Sequence, residues 1–598
     1  MEPHASVARD DSNAEVPHPL GLRDLRRERR ELAAALYRDR VPGVQRRLAM
    51  SGLAHTRLAE HWEAVTGGMT TGATLGAVGS IGRSDAGPES DLDLVLIHDG
   101  TTLSKDQLAE LAQRLWYPIW DAGLELDYSS RSITECRQVA SKDLAAAAGL
   151  LDLHAIAGDE ALAKQARAAI YQDWRGAARK RFPELLSASR ARAERHGEIA
   201  YLIEPHLKEA RGGLRDWMSL TALSATWLTD KPHGAVDAAG NYLLDVRDAI
   251  QTVTGRQQNV LGRHIATDVA DLLGVDGPDD VLASLAEAGR TIAYALDTTE
   301  RGARRSLERS GIGSRGWMAR RYGGPPRHVS VATGLIDVDG ELALAPGYDV
   351  TSDALLPIRA AATAASTGLT FTPNLLATFE KCPDIPEPWP LEAREHLCDL
   401  LRSSTHLVAV WEAIDLAGLA VRWIPEWEGV RNRPQRSPVH RFTVDRHSIE
   451  TVVLAGKARR HVDDGDLLLF TALLHDIGKR HGATNHSIDG AVLVPAIGAR
   501  LGLSEGFTHD IEVLVRQHLA LALYATTRDL DDPQTVADLL AAVEGREDLL
   551  DALRVLTQAD AKAAGPKAWT PWRAALITTL ATRAKEAFAE GHAPPQVG

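Results

Sequence analysis

Gly79-Ser80-Ile81-Gly82-Arg83, and shortly after it Ser90-Asp91-Leu92-Asp93-Leu94-Val95-Leu96-Ile97, decide how this chain is read. The second run has the character of a strand. Alternation places Asp91, Asp93, Val95 and Ile97 on one side and Leu92, Leu94 and Leu96 on the other. Two carboxylates then stand at the strand's entrance, roughly 6.6–6.8 Å apart along the chain. Unpaired, such neighbours repel and raise one another's pKa. Bound Mg2+ or Mn2+ removes the conflict, and hard oxygen ligands with open positions for phosphate and water suit these ions. The preceding turn offers backbone N–H groups to a triphosphate, with Ser80, Arg83 and Ser90 as further donors beside Gly79 and Gly82.

A nucleotidyl transfer at such a site needs a third carboxylate on an adjacent strand to take the proton of the attacking hydroxyl. Leu124-Glu125-Leu126-Asp127 supplies Glu125 and Asp127, which alternation puts on one face; Glu125 is slightly preferred. The reaction is in-line attack of a hydroxyl on the α-phosphorus of a nucleoside triphosphate.

A second constellation lies far downstream. Leu467 to Leu474 is almost wholly apolar, reads as a buried helix, and ends in His475-Asp476-Ile477-Gly478-Lys479. His447, Thr451 and Leu454 follow helical spacing, and Leu549, Leu553, Leu556 and Asp560 form one helical stripe. A carboxylate continuing an apolar row is costly unless paired or metal-bound. His447, His475, Asp476 and Asp560 therefore read as mixed N/O ligands for a hydrolytic metal acting on a phosphodiester. Lys479 is a candidate for a phosphate oxygen, and His486 for leaving-group protonation or a second metal. His518 reads equally well as an ordinary helix histidine, and His440, His461 and His481 as surface or supporting residues.

At 598 residues the chain exceeds a single core and should divide into about three or four domains. The expected class is α+β multidomain. Its parts are an N-terminal helical region (1–65), an α/β nucleotidyltransferase-type domain (66–160), a helical connecting domain (161–350), a helical linker (351–438), an all-α phosphohydrolase domain (439–586) and a tail (587–598). A Gly/Arg loop is expected at Gly311–Gly324 and a β-like stretch near 328–348. Arg26-Arg27 and Arg29-Arg30 are expected on a solvated helix face. A formal charge of −14 argues against a broad nucleic-acid surface. No apolar run approaches the roughly 18 residues that span a bilayer. With no apolar signal core and only Cys136, Cys382 and Cys398, read as packing residues, a reducing cytoplasm is expected.

These motifs together resemble the bifunctional uridylyltransferase/uridylyl-removing family that modifies the PII nitrogen-signalling protein. Three further sets carry the resemblance: Glu204-Pro205-His206-Leu207-Lys208-Glu209 with Gly212-Gly213-Leu214-Arg215-Asp216; His440-Arg441-Phe442-Thr443-Val444-Asp445; and Ala559-Asp560 with Gly565-Pro566-Lys567. The resemblance implies UTP as donor, a PII tyrosine as acceptor and an HD-type hydrolase domain. The stretch Arg422-Trp423-Ile424-Pro425-Glu426-Trp427 into Arg433-Pro434-Gln435-Arg436 resembles actinobacterial members, and since some of these transfer AMP, ATP stands as the alternative donor. Ser80 replaces a turn glycine of the family, and Gln517 stands where the family tends to pair histidines. The sequence stops about a dozen residues past the last domain, so the paired C-terminal ACT domains through which the family senses glutamine are not expected, and glutamine control is left open. An RNA-terminal nucleotidyltransferase is the enzymatic rival, disfavoured by the acidic charge and by Gly212–Asp216; a PII- or nucleotide-binding scaffold without turnover is the non-enzymatic one.

Overall fold

The computed structural model describes residues 20–311, 329–435, 437 and 439–590. The Gly/Arg loop from residue 312 onward, His328, Arg436, Pro438 and the tail from 591 lie outside the described residues. The chain forms two compact units. One comprises the residues through His196, His206–Gly277 and Ala295–Ser310; the other comprises Gly197–Pro205, Pro278–Tyr294 and the chain from Gly311.

In the first unit, helices α1 (Leu20–Arg38) and α2 (Gly43–Thr66) precede β1 (Ala73–Ala77), a one-turn helix Gly79–Gly82 and β2 (Leu92–His98). Helix α3 (Lys105–Asp121) leads to β3 (Leu126–Ser132), and β4 (His154–Gly158) closes the sheet. Ser104 starts α3 with a capping box, its side chain accepting from Gln107 N–H while Gln107 returns a bond to the Ser104 N–H. The strand order is β3-β2-β1-β4, with β2–β3 parallel and the other pairs antiparallel. Leu92, Leu94 and Leu96 enter the same buried cluster as Leu22, Leu25, Leu58 and Trp62. The leucine face of β2 is thus covered by α1 and α2, and the carboxylates are left to the opposite face. The two N-terminal helices belong to this core, so no boundary falls at residue 65.

The expectation of a solvated face holds for Arg26, Arg27 and Arg30, which are exposed, and fails at Arg29. Arg27 is exposed and pairs with Asp24 and Glu31. Arg29 is 2% exposed and donates to the carbonyls of Ser90, at 2.8 Å, and Gly87. Arg30 and Arg26 both bind the buried carboxylate of Glu89. The reason is the Gly87–Ser90 loop, whose carbonyls and Glu89 point inward and need cationic donors. Helices α4 (Leu214–Ser224) and α5 (Ala235–Thr254) complete what matters here in this unit.

The second unit carries a small sheet, of which β5 (Val329–Ala332), β6 (Leu335–Val338) and β7 (Glu341–Leu344) fall where the β-like stretch was expected and β8 (Thr370–Phe371) joins from beyond it. Its helices include α6 (Val444–Ala458), α7 (Gly465–Leu474), α8 (His486–Leu501), α9 (Glu505–Gln517) and α10 (Glu547–Ala564). Leu356, Leu400, Trp411 and Trp427 share one buried cluster with Leu468, Phe470, Leu514 and Leu553. The segment expected as a linker, 351–438, therefore supplies a large share of this core. Among the described residues no helix is long and apolar enough to cross a membrane.

Candidate functional site

Two clusters emerge, one in each unit. In the first, Asp93 is in parallel register with Asp127 across β2–β3. Together with Asp91, Gly79, Ser80, Arg83 and Ser90 they line a cavity of about 310 Å³. Burial raises the Asp93 pKa to about 6, and the neighbouring Asp91 and Asp127 charges add to the shift. Gly79 has φ +59°, and a Cβ there would lie 2.3 Å from Asp93 Oδ2, so only glycine lets the turn approach the carboxylate this closely. The Ser80 hydroxyl is buried and has no hydrogen-bond partner within the protein. An orphaned donor beside crowded acids fits a site for a polyphosphate with divalent cations.

Three residues differ from their expected roles. Glu125 does not share the cavity with Asp127. Its backbone carbonyl accepts from Leu92 N–H at 2.9 Å, and its residue lines a separate small pocket with Arg26 and Arg29. β3 begins only at Leu126, so strand alternation does not extend back to Glu125. Arg83 lines the cavity, but its guanidinium is held by Asp85 at 2.8 Å and Asp152 at 2.5 Å. Ser90 Oγ likewise accepts from Gly87 N–H at 2.8 Å, making it a loop-shaping residue. The cavity's remaining wall includes Lys208, Arg215 and Arg247, which motif reading did not single out. Lys208 and Arg215 lie in the Glu204–Glu209 and Gly212–Asp216 segments, but nothing local says that these fold over β2, and Arg247 carried no signal in the sequence.

The second cluster sits where α6, α7 and α10 converge. His447 Nε2 lies 2.9 Å from Asp560 Oδ1, and His475 Nε2 lies 3.4 Å from Asp476 Oδ2. His447 Nε2 is 3.8 Å from Asp476, and His475 Nε2 is 3.8 Å from Asp560. His475 Nδ1–H donates to the Ala472 carbonyl at 2.8 Å, which leaves the Nε2 lone pair facing the cluster. That Nε2 is buried and has no hydrogen-bond partner. Burial opposes a proton on His475, yet the Asp476 and Asp560 carboxylates and the Ala472 carbonyl together outweigh it and raise the pKa. Burial likewise pushes Asp476 up, but His475 and Lys479 hold it well below the usual carboxylate range.

A second group shares Asp476. His486 Nε2 and His518 Nε2 each lie 3.7 Å from Asp476 Oδ1. Ligand atoms of His447, His475 and Asp476, and those of Asp476, His486 and His518, fall within 4.8 Å of one another in each set. His518 Nδ1–H donates to Val515 O at 2.7 Å, repeating the His475 arrangement, and burial lowers its pKa to about 4. His518, read from sequence as an ordinary helix histidine as readily as a site residue, thus joins the cluster. Gly478 makes the closure possible: a Cβ there would fall 2.1 Å from His486 O, so the turn after Asp476 packs directly on the start of α8. Lys479 Nζ lies 2.7 Å from Asp476 Oδ2 and donates to Gln435 Oε1 at 3.0 Å. His440 packs edge-on to His447 with ring centroids 5.2 Å apart, a supporting position, while His461 and His481 are exposed. Cys136 and Cys382 are buried free thiols and Cys398 a half-buried one.

Comparison with known proteins agrees with this division. A nucleotidyltransferase domain matches residues 58–147, a GlnD PII-uridylyltransferase family matches 180–295, and an HD domain matches 444–565. The bifunctional uridylyltransferase/uridylyl-removing enzyme of Streptomyces coelicolor is 45% identical over 549 residues, which is 90% of this chain and 65% of that protein. Those of Mycobacterium tuberculosis and Corynebacterium glutamicum are 39% and 36% identical, across 97% and 87% of this chain and 72% of each relative. The chain belongs to this family. It spans about two thirds of the length of these relatives, 65% of the first and 72% of the other two. Within the bifunctional uridylyltransferase/uridylyl-removing family, the two clusters fall in the nucleotidyltransferase and HD segments respectively, and the RNA-terminal and scaffold readings are set aside.

Proposed function

We propose that this chain transfers a uridylyl group from UTP to a tyrosine of the PII regulatory protein, and hydrolyses the same linkage to release UMP. The observation that carries the reading is the presence, in one member of this family, of a triple-carboxylate cavity and a separate His/Asp cluster. In transfer, the tyrosine oxygen attacks the α-phosphorus in line, the bond to the bridging oxygen breaks, and pyrophosphate leaves. Asp127, alongside Asp93, accepts the hydroxyl proton, while Gly79, Ser80 and their backbone N–H groups orient the phosphates.

In removal, a water oxygen bonds to phosphorus as the bond to the tyrosine oxygen breaks, and the phenolate takes a proton from solvent. Lys479 is placed to hold a phosphate oxygen. Asp91 and Asp93 would hold Mg2+ or Mn2+; His447, His475, Asp476 and Asp560, with His486 and His518, would hold the hydrolytic cation or pair. When bound, these ions neutralise phosphate charge and make water ionise near neutral pH. Three thiols without disulfides agree with a cytoplasmic setting.

Intact-mass measurement of purified PII after incubation with Mg2+ and either UTP or ATP, with and without glutamine, tests this. One uridylyl increment per subunit is expected from UTP. An adenylyl increment from ATP alone would replace the donor, and no increment from either would overturn the transferase reading.

A further inference from the structure

The residues that the acidic strands and their turn place on the transferase cavity, including Gly79, Ser80, Asp91, Asp93 and Asp127, are polar or glycine. They can hold phosphates and cations but offer a nucleobase no apolar surface, which base binding requires. The cavity's apolar surface comes from elsewhere: Leu214, Trp217 and Met218 on α4, and Leu244 on α5. These lie beyond the nucleotidyltransferase match, which ends at residue 147.

The Gly212–Asp216 motif builds this second wall. Buried Asp216 accepts bonds from Ser189 Oγ at 2.7 Å, Arg192 at 2.7 Å and Gly212 N–H at 2.9 Å, which locks the start of α4. A Cβ on Gly213 would lie 2.6 Å from Leu207 O and 2.7 Å from Ala210 O, so the turn can close only on glycine. Trp217 lies so close over α5 that a Cβ on Gly240 would fall 2.2 Å from its ring, and its Nε1 is buried without a partner within the protein. The segment carrying Asn259 pairs with the one carrying Lys208: Leu207 N–H donates to Asn259 O at 2.8 Å, beside the bridge between His206 and Val260. That pairing brings Lys208 and Asn259 to the same cavity.

We infer that the donor's nucleoside is seated on this second wall, with Trp217, Met218 and Leu244 against the base, the Asn259 carboxamide at its hydrogen-bonding edge and Lys208 on the triphosphate. Turned with Nδ2 toward uracil O4 and Oδ1 toward N3–H, the carboxamide donates to the first and accepts from the second. Cytosine presents the reverse pattern, an amino donor and a ring acceptor, so the same amide selects against it. This rests on the transferase reading above and assigns its base specificity to residues outside the acidic strands.

Isothermal titration of the full chain with UTP, CTP and ATP, in Ca2+ to prevent turnover, tests the assignment. The parent is expected to bind UTP at least tenfold more tightly than CTP. Asn259→Ala should bring the two within threefold, and Trp217→Ala should weaken UTP at least tenfold while Trp217→Phe keeps most of the affinity. Lys208→Gln should weaken UTP but leave the affinity for uridine at the parent value. Asn259→Ala and Trp217→Phe hold the test should Trp217→Ala melt early. Variants with the parent's melting temperature, affinity and preference for UTP over CTP would overturn the inference while leaving the transferase reading intact. A parent that binds none of the three nucleotides would overturn both.

Discussion

At the residue scale, Asp93 shows how a functional position is maintained against stability. Its pKa rises from the ordinary 3.8 to about 6, chiefly through burial and then through Asp91 and Asp127. A carboxylate whose folded pKa is raised binds protons more tightly in the folded state. Its charge therefore costs nothing below about pH 4, costs progressively more as pH climbs to about 6, and keeps its full cost above that. Asp93→Asn removes the charge. In chelator the variant should melt higher than the parent at pH 8 and at the same temperature as the parent at pH 4. Added Mg2+ should raise the parent's melting temperature and not the variant's. Equal melting of the two proteins at pH 8 without metal would sink the idea that these acids are held in mutual conflict.

At the element scale, α1 acts as a buttress for the loop that delivers Asp91. Arg29 bonds the Ser90 and Gly87 carbonyls from a buried position, and burial lowers its own pKa to about 10. Arg29→Met keeps the length and loses the donors, leaving the half-buried Ser90 carbonyl without this partner and the Gly87 carbonyl with only the Ser90 N–H at 3.3 Å, at a cost of about 1–3 kcal/mol. The expected result is a lower unfolding midpoint in urea together with a raised KM for UTP in transfer. An unchanged KM would mean the loop keeps its shape without α1. The solvated-face reading held for Arg26, Arg27 and Arg30 and failed at Arg29 for a physical reason. Helical periodicity locates a polar stripe but cannot say that a carboxylate, Glu89, and a row of carbonyls wait inside the fold to receive it.

At the scale of the whole molecule, the clusters occupy separate units and should fail separately. Asp91→Asn with Asp93→Asn should abolish transfer to PII, by at least a thousandfold, and leave release of UMP from modified PII near the parent rate. His475→Ala with Asp476→Ala should do the reverse and strip metal from the protein. Because Asp476 serves both ligand sets, Asp476→Ala should lower the metal content by elemental analysis more than His518→Ala, which touches one set. Unchanged metal in Asp476→Ala would count against the site.

Local chemistry made the acidic strand and the His475-Asp476 pair legible, because each is contiguous and its physical conflict, carboxylate beside carboxylate or a carboxylate in an apolar row, is visible without a fold. The leucine face of β2 was legible for the same reason, since alternation has a period of two. The choice of Asp127 over Glu125 depended on where β3 begins and on its register with β2, a matter of pairing between strands more than thirty residues apart. His518 joining Asp476, and Lys208, Trp217 and Asn259 facing the transferase cavity, depended on tertiary closure through Gly478 and Gly213. The sequence by itself determined which residues carry the charge and the lone pairs; the tertiary structure alone decided which of them meet, because convergence is set by packing between distant segments and leaves no periodic trace in either one.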